Sequence, residues 1–167
     1  MTTSERFARD GYVALDRLIE GPALQHYLEL YDRFLDGSIQ VGALRSDLGA
    51  GNDPVKQGRE NITQIMWPSA FVPVLLDTPA YLRALAEARA LLGDDMAFDF
   101  DMLIDKAPGS NTITPWHQDC AYWPALPDKR AASCWIELDE ATRENGCMWF
   151  VPGSQNGPLR PHRPAGK

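Results

Sequence analysis

In the stretch PWHQDCAYWP, Pro115 to Pro124, a histidine and an aspartate stand two residues apart in a 167-residue chain that holds three histidines. On extended backbone, residues i and i+2 point to the same side, so His117 and Asp119 can offer an imidazole nitrogen and a carboxylate oxygen to one point while Gln118 points away. One such nitrogen and one such oxygen are two members of the two-histidine, one-carboxylate facial triad, which binds Fe(II) on one face and leaves the opposite face open. The same spacing also makes a simple hydrogen-bonded pair, and the pair alone does not choose between these readings. Cys120 follows directly, but no histidine is placed by motif to deprotonate it, so it reads as a small buried thiol rather than a nucleophile. Tyr122 and Trp123, beside Pro124, read either as pocket walls or as loop packing.

Positioning the pair requires a scaffold, and the pattern upstream supplies one. Residues 22–35 carry Leu24, Leu28, Tyr31 and Leu35 at helical spacing, with Pro22 at the start and Gly37 just past the end, so a helix packed on a sheet is expected. His26 on that helix reads as a surface or packing residue. A second helix is expected over about 79–92, capped by Thr78, burying Leu82, Leu85, Leu91 and Leu92, and stopped by Gly93. Between the helices, residues 36–60 hold five glycines and little periodicity, which reads as a long loop, mobile lid or disordered stretch. Beyond the second helix the pattern alternates: Phe98, Phe100, Met102 and Ile104 share one strand face, and Asp99, Asp101, Leu103 and Asp105 the other. Further strands are expected over 61–67, 131–139 and 147–151. In the second of these, Ser133, Trp135 and Glu137 face one way and Cys134, Ile136 and Leu138 the other. Helices first and short strands afterwards indicate an α+β fold with a jelly-roll or cupin-like barrel as its β part.

Composition narrows the function classes. A formal net charge of −7 and a pI near 4.9 leave no basic stripe to displace counterions, so no nucleic-acid partner is expected. Met1 to Arg6 lead into no apolar run, and no membrane span is expected. The three cysteines, Cys120, Cys134 and Cys147, show no Cys-x-x-Cys spacing, which favours neither a disulfide framework nor a thiolate zinc site and makes a reducing cytoplasm the expected location. Nothing in the sequence sets the oligomeric state.

The segments MLIDKAPGSNTITPWHQDCAYWP and SCWIELDEATRENGCMWFVPGS, with the opening FARDGYVAL and the order helix, loop, strand, helix, strand, His-x-Asp, closely resemble the phytanoyl-CoA dioxygenase family of Fe(II)- and 2-oxoglutarate-dependent oxygenases. The resemblance covers most of the chain. It implies a double-stranded β-helix core with the N-terminal helices packed on one sheet, His117 and Asp119 as iron ligands, and 2-oxoglutarate as co-substrate. Carried over by position, co-substrate contacts fall on Gln64 in NITQIMW, Met102 in DMLIDK and Trp135 in SCWIEL. Gln64 stands where the family often has lysine, so a charge contact becomes a neutral hydrogen bond. Read from the residues alone, Trp135 and Met102 are also ordinary core side chains, and Gln64 a polar cap at a barrel mouth.

The implied activity couples oxidation of 2-oxoglutarate by dioxygen, to succinate and carbon dioxide, with hydroxylation of an unactivated carbon in a small organic substrate. The family's second histidine ligand and its co-substrate arginine are expected beyond VPGS, so residues 1–167 read as the N-terminal part of one oxygenase domain lacking its last strands. His162, in RPHRPAGK, lies between prolines and beside arginines and is not expected to ligate metal; its replacement is expected to leave metal affinity unchanged. The alternative is a non-catalytic, cupin-like binding or assembly module that keeps an incomplete metal site.

Overall fold

The computed structural model describes residues 1–49, 60–109, 112–125 and 127–162. Its regular elements are helices α1 (Thr3–Asp10), α2 (Pro22–Leu35), α3 (Pro68–Phe71) and α4 (Pro79–Leu92), and strands β1 (Arg45–Asp47), β2 (Ile62–Met66) and β3 (Met102–Lys106). The strands form one antiparallel sheet in the order β1-β2-β3. The α+β class holds. Among the described residues the β part is an open three-stranded sheet, not a closed jelly roll.

The described residues group into two compact units. One comprises Met1–Leu28, Asp77–Phe98 and Pro124–Leu159; the other comprises Glu29–Leu76, Asp99–Trp123 and Arg160–Lys167. The sheet lies in the second. Its register pairs Ile65 with Leu103 and Arg45, and Gln64 with Ile104 and Ser46. Partners across a ladder share a face, so Arg45, Asp47, Thr63, Ile65, Leu103 and Asp105 look one way, while Ser46, Gln64, Met66, Met102 and Ile104 look the other. The first face is the packed one: Phe34 of α2, Val41 and the fully buried Ile65 form the core, flanked by Ile39, Val72 and Leu103. Tyr31 of α2 donates its hydroxyl to the Ile104 carbonyl at 2.6 Å, pinning helix to strand.

The α2 boundaries match the sequence expectation, but its buried stripe is centred on Leu30 and Phe34 rather than on Leu24, Leu28 and Leu35. The bulk of Phe34 over Ile65 sets the helix rotation, and Tyr31 is common to both stripes. The α4 boundaries also match, with Gly93 at φ +127 as the stop. Leu82 is exposed, however, and the fully buried residue of α4 is Ala80. The Thr78 hydroxyl does not cap the helix but hydrogen-bonds the Tyr27 hydroxyl.

Strand β3 begins only at Met102, leaving Phe98 and Phe100 outside the ladder, because its partner β2 ends first. Trp67 turns the chain at φ +51 into α3, and its N–H donates to the Asp101 carbonyl at 2.9 Å as the last rung. The Asp101 carboxylate then accepts from the Ser69 N–H and hydroxyl, each at 3.0 Å. Residues 131–137 and 147–151 are assigned to no strand. Alternation marks the side that would be apolar; a strand also needs a paired neighbour to take its backbone groups.

The stretch 36–49 is more ordered than expected. It holds a 3-10 turn, Gly42–Leu44, and then β1. Arg45 donates to the Phe34 and Leu35 carbonyls at 3.1 and 3.0 Å, capping the C-terminus of α2, and its Nε pairs with the Glu60 carboxylate at 3.0 Å. Of the stretch 36–60 read as a loop, lid or disordered segment, residues 50–59 lie outside the described residues.

In the other unit, Thr2 and Glu5 form a capping box at the start of α1, and Gly11 ends the helix at φ +82. Gln155 donates to the Ala8 and Arg9 carbonyls there. Arg130 similarly meets the Leu92 carbonyl at 2.9 Å and both Asp95 and Asp128, which holds the Asp128 carboxyl down at about 2. Among the described residues no helix is long and apolar enough to cross a membrane.

Candidate metal centre

After β3 the chain runs through 112–118 without regular structure and reaches Gln118 in an extended conformation, φ −118 and ψ 120, before a 3-10 turn over Asp119–Ala121. Extended backbone at the middle residue brings its two neighbours to one side. The His117 Nε2 and Asp119 Oδ1 atoms accordingly stand 3.2 Å apart, with both side chains open to solvent.

The other imidazole nitrogen is already engaged: His117 Nδ1 lies 2.8 Å from the Pro115 carbonyl oxygen and donates to it. That contact fixes the ring orientation and leaves Nε2 facing the carboxylate, the arrangement in which metal-binding histidines are commonly held. Two cis ligands, each about 2.1 Å from an octahedral ion, stand about 3.0 Å apart, so the observed separation matches the edge of such a polyhedron. A protonated imidazole makes a direct ion pair across the same gap. The donor set, one imidazole nitrogen and one carboxylate oxygen, suits Fe(II).

Among the described residues no group of three or more His, Cys, Asp or Glu side chains gathers to hold a metal. His162 comes close to the pair without joining it. Its Nε2 accepts the Gln118 N–H at 2.9 Å, and its Nδ1 lies 2.7 Å from the Arg160 carbonyl oxygen, so both ring nitrogens are occupied. The Tyr122 ring stands edge-on to both imidazoles, with centroids 6.0 Å from His117 and 5.8 Å from His162. Sequence reasoning offered Tyr122 as a pocket wall or loop packing; here it packs between two histidines.

Gln64 and Met102 sit two rungs apart on the sheet face turned away from the core, Gln64 opposite Ile104 and Met102 opposite Met66. Trp135 is exposed and belongs to the other compact unit. Cys120 is exposed rather than the buried thiol expected, because the 3-10 turn leaves it at the surface. Burial, with the charge of Glu87 added, pushes the Cys134 thiol above its usual range. No local pattern signals the contacts made by Pro115 and His162, since one uses a backbone carbonyl and the other joins residues 44 positions apart.

The family model of phytanoyl-CoA dioxygenase (PhyH) matches residues 7–166. The chain is similar to a probable phytanoyl-CoA dioxygenase of Caenorhabditis elegans, 26% identical over 165 residues that cover 93% of this chain and 53% of that protein. It is also similar to the peroxisomal phytanoyl-CoA dioxygenase of Bos taurus, 41% identical over 64 residues covering 36% of this chain and 19% of that protein. A third relative is phytanoyl-CoA dioxygenase domain-containing protein 1 of Danio rerio, 45% identical over 56 residues, 33% of this chain and 19% of that protein. The chain spans about half the length of the first of these and less of the others. No solved structure matches it.

Proposed function

The chain belongs to the phytanoyl-CoA dioxygenase family, and from that membership we propose that it is part of a non-haem iron, 2-oxoglutarate-dependent dioxygenase that hydroxylates a small organic molecule. The observation that carries the reading is the His117–Asp119 pair, 3.2 Å apart with Nδ1 of the histidine already tied to Pro115. In this reading His117 Nε2 and the Asp119 carboxylate hold the iron. When bound, the iron supplies the activation of dioxygen that 2-oxoglutarate oxidation requires.

The chain's own residues have positioning roles. The Pro115 carbonyl keeps the His117 proton on Nδ1, so the metal-facing nitrogen retains its lone pair. Gln64 offers 2-oxoglutarate a neutral amide, and Met102, two rungs away on the same face, shapes the apolar side of that site. Trp135 is the third co-substrate contact, assigned by family position. The substrate reading stays at the level of a small organic molecule, because loops outside the shared motifs set it.

A second reading, a non-catalytic cupin-like binding or assembly module, is favoured by one observation: among the described residues no third metal-ligating side chain joins the pair. Anaerobic titration separates the two. The folded chain with Fe(II) and 2-oxoglutarate is expected to give the visible charge-transfer band of a chelated complex, and His117→Ala and Asp119→Ala to lose it. A band that persists in both variants overturns the reading of the pair as iron ligands, and Fe(II) bound with no band in the unmodified chain favours the binding module.

A further inference from the structure

The stretch Arg160 to His162 meets the His-x-Asp segment at its middle residue, through two separate hydrogen bonds. The backbone N–H of Gln118 donates to His162 Nε2 at 2.9 Å, and the Gln118 Oε1 accepts the backbone N–H of Arg160, also at 2.9 Å. A ring nitrogen that accepts an N–H carries no proton, so the His162 proton is on Nδ1, where the Arg160 carbonyl takes it at 2.7 Å. The imidazole is thus held at both nitrogens, with the Tyr122 ring edge-on against it.

The Gln118 N–H belongs to the peptide plane that joins His117 to Gln118. Holding that plane holds the ψ of His117 and the φ of Gln118, the torsions that aim His117 to the same side as Asp119. We propose that His162 is a positioning residue for the metal-binding pair, fixing the peptide between the two ligands by accepting the Gln118 N–H. The proposal rests on the reading of His117 and Asp119 as metal ligands. It revises the sequence expectation for His162: the residue stays outside the ligand set, yet its replacement is expected to weaken metal binding.

Two polar replacements divide the imidazole into its two functions. His162→Gln keeps an acceptor near the place of Nε2, whereas His162→Asn keeps a donor near the place of Nδ1 and withdraws the acceptor from Gln118. With Co(II) alone as the probe, followed by its visible absorption, His162→Asn is expected to lose about tenfold to a hundredfold in affinity, the usual cost of removing a partner that orients a ligand. His162→Gln is expected to recover most of that loss. Amide hydrogen exchange gives a readout independent of metal: the Gln118 N–H should be protected in the unmodified chain and in His162→Gln, and should exchange faster in His162→Asn. Unprotected Gln118 in the unmodified chain overturns the proposal without any variant, as does equal loss of Co(II) affinity in both variants. Unchanged Co(II) affinity in His162→Asn, where His117→Ala loses it, also overturns the proposal. If His117→Ala leaves Co(II) affinity intact, the ligand reading fails instead, and the positioning of that pair has no metal to serve.

Discussion

Asp119 has little freedom in length. Its Oδ1 stands 3.2 Å from His117 Nε2, and one added methylene moves a carboxylate by about 1.5 Å where ligand distances are tolerated to about 0.2 Å. Asp119→Glu is therefore expected to lose Fe(II) affinity as completely as Asp119→Ala, while its thermal unfolding midpoint stays close to that of the unmodified chain. Anaerobic Fe(II) titration measures this, and unchanged affinity in Asp119→Glu would place the carboxylate away from the metal. The two ligand candidates were legible in the sequence because i, i+2 geometry is local and needs only an extended residue between them. What orients them was not. A backbone carbonyl at Pro115 has no side-chain signature, and the contact from His162 closes a loop whose path no periodicity records.

At the scale of elements, helices were read more reliably than strands. The α2 and α4 boundaries follow from apolar spacing and from glycine stops, both local signals. Helix α1 was missed although Thr2 and Glu5 spell a capping box and Gly11 a stop, because eight residues carry too little periodicity to stand out. Strand β1, three residues long, was missed for the same reason, and its place is set by side chains that reach elsewhere. Asp47 shows how. Its carboxylate accepts the N–H groups of Gly49 at 2.8 Å, Ile62 at 3.0 Å and Asn61 at 3.2 Å, tying β1 to the start of β2. Burial pushes this carboxyl up, but the N–H groups of Ile62, Asn61 and Gly49 outweigh it and hold the group below the usual carboxylate range. A lowered folded-state pKa adds stability that is complete above the unfolded value of about 3.9 and is lost as pH falls through the folded value. Asp47→Asn is expected to cost about 1–3 kcal/mol at pH 7, with the gap to the unmodified chain narrowing by pH 3. Urea unfolding at the two pH values checks it; an equal gap at both would mean that the charge on Asp47 contributes nothing.

For the whole molecule, a net charge of −7 over a chain with no basic run is expected to repel phosphate backbones rather than gather them. Fluorescence anisotropy of a labelled single- or double-stranded oligonucleotide is expected to stay flat at physiological salt up to about 0.1 mM protein, the weak end of non-specific binding; saturable binding below that would contradict the expectation. The class of fold was legible at this scale, whereas closure of the sheet was not, since alternation in 131–139 and 147–151 says nothing about which strand lies alongside. The two compact units have a consequence for inheritance. Each is stitched from three separate stretches, and the chain changes unit five times, at 28/29, 76/77, 98/99, 123/124 and 159/160. A single recombination between genes therefore cannot keep both units whole, and wherever the breakpoint falls, at least one of them is joined from parts that never drifted together.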